Sequence, residues 1–153
     1  MQIVVTDHVV EDAVARFQAG HSCSQAVFSA FAVPSGMDES LALKITCPFG
    51  GGMARMGEVC GAVTGAFMVI GIKFGRADVE DEQARDATYS AVEEFIRLFK
   101  KRHDVIRCRD LLGIDPSDSQ QKEQENQGGL LDTLCTRIVR DAAEIVCQIV
   151  QNK

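Results

Sequence analysis

Six cysteines stand at positions 23, 47, 60, 108, 135 and 147, and no two of them form a C-x-x-C pair. That spacing argues against zinc ribbons, thioredoxin-type redox motifs and bacterial ferredoxin runs. Four of the six share a different feature. In "GHSCSQAVFSAF", Ser22 and Gln25 make an S-x-x-Q capping box, so Cys23 is the first residue of a helix. Cys60 falls in the first turn of a helix expected from about Gly57 to Phe74. Cys108 opens the short helix predicted in "RCRDLLGID", and Cys135 lies within two turns of the start of the last helix. Helix N-termini carry unpaired N–H groups and the positive end of the dipole, both of which favour thiolate over thiol. If they converge, Cys23, Cys60, Cys108 and Cys135 would suit a nucleophilic thiolate, a labile disulfide or a thiolate-held metal. Packing is the competing reading at each, because cysteine is among the most buried residue types. Cys47 and Cys147 are assigned to packing; Cys147 lies about 120° around its helix from Cys135.

The stretch "FGGGMARMGEVCGAVTG" brings three glycines close to Cys60. Gly50, Gly51 and Gly52 admit close backbone approach or positive φ, and one use of such a loop is to aim N–H groups at sulfur or at a bound anion. A flexible turn is the alternative. A phosphate loop is excluded, since no strand precedes it and no G-K-[ST] follows. Gly61 and Gly65, with Ala62 and Ala66, form a small-residue face that lets a neighbouring helix come near. His21, two residues before Cys23, is a candidate to lower that thiol's pKa or to act as a ligand. Arg55, Arg107 and Arg109 flank Cys60 and Cys108 and are candidate thiolate partners. For His21 a solvent-exposed loop position is the favoured reading, and the three arginines are equally compatible with solvated positions.

The elements that must position these residues read as helices nearly throughout. Asp7, Ser22, Asp38 and Asp78 mark expected helix starts, and Gly20 and Gly75 mark stops. The segment 57–74 is apolar on almost every side, which predicts a buried central helix. The pattern specifies an all-α single domain over residues 1–153, a bundle of about five to seven helices around that glycine- and alanine-rich centre. Residues 115–129, "DPSDSQQKEQENQGG", are almost wholly polar and are expected to form a mobile loop. Only residues 2–5 hint at a strand. The alanine-rich stripe of 79–102 offers a surface for a homo-oligomer, although such a stripe is usually core.

Charge narrows the partners. A net charge of −6 without a basic run or any tryptophan argues against nucleic acid or an anionic membrane surface. The longest apolar run, 59–72, is shorter than the ~20 residues of a membrane span. The N-terminus lacks the basic region of a signal peptide. The expectation is a cytoplasmic protein whose thiols are kept reduced.

The order of "GHSCSQAVFSAF", "FGGGMARMGEVCGAVTG", "CRDLLG" and a late helical cysteine resembles a bacterial and archaeal family labelled redox-active and marked by four cysteines and a CGAxxG motif. That motif stands here as Cys60, Gly61, Ala62, Val63, Thr64 and Gly65. The resemblance extends over nearly the whole chain and places the family's cysteines on Cys23, Cys60, Cys108 and Cys135. His21 departs from the aromatic residue usual at its position. The resemblance implies a redox role, an unidentified redox partner and, because family genes often lie near transporter genes, association with a transport system. Together, residues and resemblance favour a thiol oxidoreductase cycling between dithiol and disulfide, with Cys23 or Cys60 as the attacking thiolate. The alternative keeps the same four thiolates as ligands of an iron–sulfur cluster or zinc.

Overall fold

The structure is a computed structural model, and it describes residues 1–152. Its eight α-helices are α1 (Val9–Gln18), α2 (Cys23–Ala32), α3 (Glu39–Thr46), α4 (Gly61–Phe74), α5 (Glu82–His103), α6 (Cys108–Leu112), α7 (Ser119–Glu125) and α8 (Leu130–Asn152), with 3₁₀ turns at Cys47–Phe49 and Gln127–Gly129. Among the described residues the only β pairing is an isolated antiparallel bridge between Val59 and Arg107, so the expected all-α class holds and residues 2–5 are not a strand.

Several boundaries differ from the pattern for local reasons. Helix α7 lies inside the segment expected to be a loop. Asp118 accepts from the Gln120 and Gln121 N–H groups and starts it, which offsets its lack of an apolar face. It takes the helix count one above the expected range. Helix α4 begins at Gly61 rather than near Gly57, with Cys60 as its N-cap. Helix α5 is capped by Asp81 rather than Asp78, its carboxylate accepting from the Ala84 N–H at 2.9 Å. His8, not Asp7, occupies the N-cap of α1 and makes no side-chain cap bond. The capping box of α2 forms as predicted, with Gln25 N–H to Ser22 Oγ at 3.4 Å and Ser22 N–H to Gln25 Oε1 at 3.0 Å.

Helix α4 is the centre of the bundle. It packs against α2, α5 and α8, and Val63, Ala66, Val69 and Ile70 on it are fully buried. From α5, Phe95 meets Phe67 edge-on at 5.7 Å and stacks on Phe99 at 5.8 Å, geometries that suit the ring quadrupoles. Beyond that stack, the buried His103 ring pairs with Asp141 at 2.7 Å, and Arg102 bonds Asp141 and Glu144 at 2.8 and 2.7 Å. These contacts fasten the end of α5 to α8. No helix of the described chain is long and apolar enough to cross a membrane.

The small-residue face of α4 is what brings α2 close. A Cβ at Gly65 would stand 2.9 Å from the Ser24 carbonyl oxygen and 3.3 Å from Val27 Cβ. Backbone cannot yield as a flexible side chain can. Gly65→Val is therefore expected to destabilise the fold by about 1–3 kcal/mol in urea denaturation, the usual cost of overpacking. An unchanged midpoint would show that α2 and α4 are not in contact there.

A candidate thiol site

Cys23, Cys60, Cys108 and Cys135 line one cavity of about 260 Å³. They come from four separate helices, three of them at a helix start. Cys60 and Cys108 are buried, while Cys23 and Cys135 are partly exposed, and all are free thiols. The structure thus brings together all four residues singled out by helix-start placement. Cys47 lies exposed in a 3₁₀ turn, and Cys147 sits away from the cavity with its Sγ 3.5 Å from Gln151 Oε1.

Cys23 is the electrostatic focus. Its sulfur accepts from the Cys60 thiol and from the backbone N–H groups of Ser24, Gly51 and Ala62, and these outweigh burial to bring its pKa down to about 7. Ser24 and Ala62 are each the second residue of their helix, α2 and α4. Two helix N-termini therefore point at one atom, the arrangement that best favours a thiolate. The third donor, Gly51, comes from the glycine loop. Gly61 makes the convergence sterically feasible: a Cβ there would lie 2.6 Å from Cys23 Sγ.

The other thiols respond in the opposite sense. Donation to Cys23, then burial, then the Cys23 charge push Cys60 well above the ordinary thiol range. Burial, then the charge on Cys23, raise Cys108 to about 11 and Cys135 to about 12. Lys122 pulls both of these down slightly. Four thiols in one cavity thus ionise as one thiolate and three neutral thiols.

Cys60 and Cys108 are held by the same short ladder. Cys60 N–H donates to the Ile106 carbonyl at 2.8 Å, and Cys108 N–H to the Glu58 carbonyl at 2.6 Å, on either side of the Val59–Arg107 bridge. The glycine loop that precedes it is left-handed from Gly51 through Met53, Ala54 and Arg55, all at φ between 51° and 69°. The Arg109 guanidinium donates to the Met56 carbonyl at 2.9 Å, and Arg107 reaches Glu58 at 3.5 Å. These two arginines brace the loop and do not line the cavity, contrary to their reading as thiolate partners. Arg55 does line it. His21 faces the grooves beside α3, with Glu39 as a neighbour, and takes no part. Lys122 and Asp132, which also line the cavity, carry no signal in the sequence. Lys122 sits on α7, the helix hidden in a polar stretch.

As a metal centre the arrangement does not fit. Among the described residues no three Cys, His, Asp or Glu side chains gather closely enough to hold an ion, whereas a structural thiolate site needs about four ligands in a closed shell.

A protein-family comparison places residues 21–149 within the family described as "Putative redox-active protein (C_GCAxxG_C_C)". That span covers most of the chain, and the chain belongs to this family. No curated protein and no solved structure matches it significantly.

The rate of iodoacetamide alkylation at Cys23 should be half-maximal near pH 7. Because donation from Cys60 is the largest cause of the lowered value, Cys60→Ala should move that midpoint upward, toward the ordinary thiol range. A midpoint already in that range in the unaltered protein would remove the electrostatic account.

Proposed function

We propose that the protein is a thiol oxidoreductase in which Cys23 attacks and Cys60 resolves. The observation that carries this reading is that Cys23 and Cys60 line one cavity, with the Cys23 sulfur packed against Gly61, the residue after Cys60, where a protonated Cys60 favours the Cys23 thiolate. The Cys23 thiolate attacks one sulfur of a disulfide substrate. That S–S bond breaks, its electron pair leaves with the first substrate thiolate, and a mixed disulfide remains on Cys23. With its charge gone, Cys23 no longer holds up the pKa of Cys60. The Cys60 thiol then loses its proton and attacks the Cys23 sulfur, expelling the second substrate thiolate. Counted from the Cys23 thiolate, the protein gives up two electrons and the Cys60 proton and ends as a Cys23–Cys60 disulfide, while the substrate ends as one thiol and one thiolate, which takes its proton from solvent.

A reducing cytoplasm suits this cycle, because the resting state is the dithiol. Cys108 and Cys135, facing the same cavity, would serve as a second pair that relays oxidation away from Cys60. A thiolate-held iron–sulfur cluster or zinc is the weaker reading, since no gathered donor set supports it.

Mild oxidation followed by peptide mapping tests the assignment. The expected product is a Cys23–Cys60 disulfide, detected as a two-hydrogen mass loss in the linked peptides. Cys23→Ser should abolish reaction with a small disulfide, whereas Cys60→Ser should stop at the mixed disulfide. If Cys23→Ser reacts at the unaltered rate, the mechanism is wrong.

A further inference from the structure

Resting on the dithiol reading, we propose that the thiol cavity takes a small disulfide carrying negative charge rather than a disulfide presented on a protein surface. The first argument is access. The attacking Cys23 lines the cavity beside Cys60 and Cys108, which are only 5 % and 8 % exposed, so a disulfide meets the attacking sulfur by way of the cavity. A space of about 260 Å³ holds a molecule of roughly ten non-hydrogen atoms, given that a water's share of liquid volume is ~30 Å³. A folded partner's loop does not fit, while a compact disulfide does.

The second argument is charge. Arg55 and Lys122 both line the cavity, and neither side chain has an ion-pair or hydrogen-bond partner among the described residues. By contrast Arg16, Arg97, Arg102 and Arg140 are all paired with carboxylates. The cavity has one facing carboxylate, Asp132, which accepts from Asn126 Nδ2 at 3.3 Å. On a protein of net charge −6, two unpaired cations beside the thiols make this a place where an anion is favoured. They lie on different supports, Arg55 on the left-handed loop and Lys122 on α7. Apolar side chains, Leu111, Leu131 and Ile138 among them, complete the wall and suit a short carbon chain. The substrate class is thus a low-molecular-weight disulfide bearing at least one carboxylate. It is reduced by two electrons to two thiols as Cys23 and Cys60 are oxidised.

Single-turnover rates with dianionic dithiodiglycolate and neutral hydroxyethyl disulfide test the assignment, each ratio normalised to that of free glutathione. The protein should favour the dianion on the order of tenfold, and Arg55→Gln/Lys122→Gln should abolish that preference. Lys100→Gln/Lys101→Gln, which removes an equal charge from the exposed face of α5, should retain it. Absence of the preference in the unaltered protein, or its survival in the double variant, overturns the proposal. So would a folded protein disulfide reacting as fast as dithiodiglycolate. If the double variant fails to fold, the single variants Arg55→Gln and Lys122→Gln are read instead, and each should lose part of the preference. The ratio of iodoacetate to iodoacetamide alkylation at Cys23 separates this proposal from the dithiol reading. It requires no disulfide step, so an anion preference there without any Cys23–Cys60 disulfide would overturn the oxidoreductase function while locating the anion site. Disulfide formation with no anion preference would do the reverse.

Discussion

Three backbone N–H groups on one sulfur set the terms for the rest of this molecule. Ser24, Gly51 and Ala62 belong to α2, the glycine loop and α4, so the Cys23 site exists only where these three segments meet. Helix α4 must run close to α2, which is why its contacting face is built from Gly61, Ala62, Gly65 and Ala66. The price is an apolar central helix with little side-chain volume on that face. Phe28, Phe31, Phe95 and Phe99 supply the bulk from neighbouring elements, so density is kept while two helix starts stay close.

A single charge in a low-dielectric cavity explains the division of labour among the thiols. Each of Cys60, Cys108 and Cys135 is raised both by burial and by the charge on Cys23. The four therefore behave as one coupled system and do not titrate independently. The coupling also orders the chemistry we propose. While Cys23 is a thiolate its neighbours are protonated and poor nucleophiles; once Cys23 is consumed in a bond, the repulsion vanishes and the next thiol is released. Four cysteines of equal pKa would react in any order, and unequal ones need not.

The all-α class and the four thiols were legible in the sequence because they rest on local rules. Helical periodicity, the Ser22–Gln25 box and glycine stops need only nearby residues, and cysteine placement at helix starts follows from them. Whether those starts converge depends on contacts between distant segments such as Val59 with Arg107, which periodicity does not carry. Helix α7 was missed because its seven residues, Ser119–Glu125, bury no apolar face; a side-chain cap from Asp118 was its one signal. Lys122 was missed with it. For Arg107 and Arg109 the sequence left a thiolate partner and a solvated cation equally open, because adjacency to Cys108 says nothing about direction; both side chains turn toward the loop.

That loop is the costly part of the design. Met53, Ala54 and Arg55 have side chains and yet hold positive φ, at about 1–2 kcal/mol for each L-residue in the left-handed region. Against a typical domain stability of about 5–15 kcal/mol, such a cost persists only where the surroundings over-determine the conformation. They do so here: Ala54 N–H donates to the Pro48 carbonyl at 2.8 Å and Glu58 N–H to the Gly52 carbonyl at 2.9 Å, and Arg109 bonds the Met56 carbonyl. A right-handed turn would join the 3₁₀ segment to α4 with less strain. The left-handed one does two things at once, since the same turn that aims the Gly51 N–H at the Cys23 sulfur sets Arg55 into the cavity wall. Strain concentrated at the point where thiolate stabilisation and the cavity's cation meet is what a reactive site, rather than a mere connection between helices, would retain.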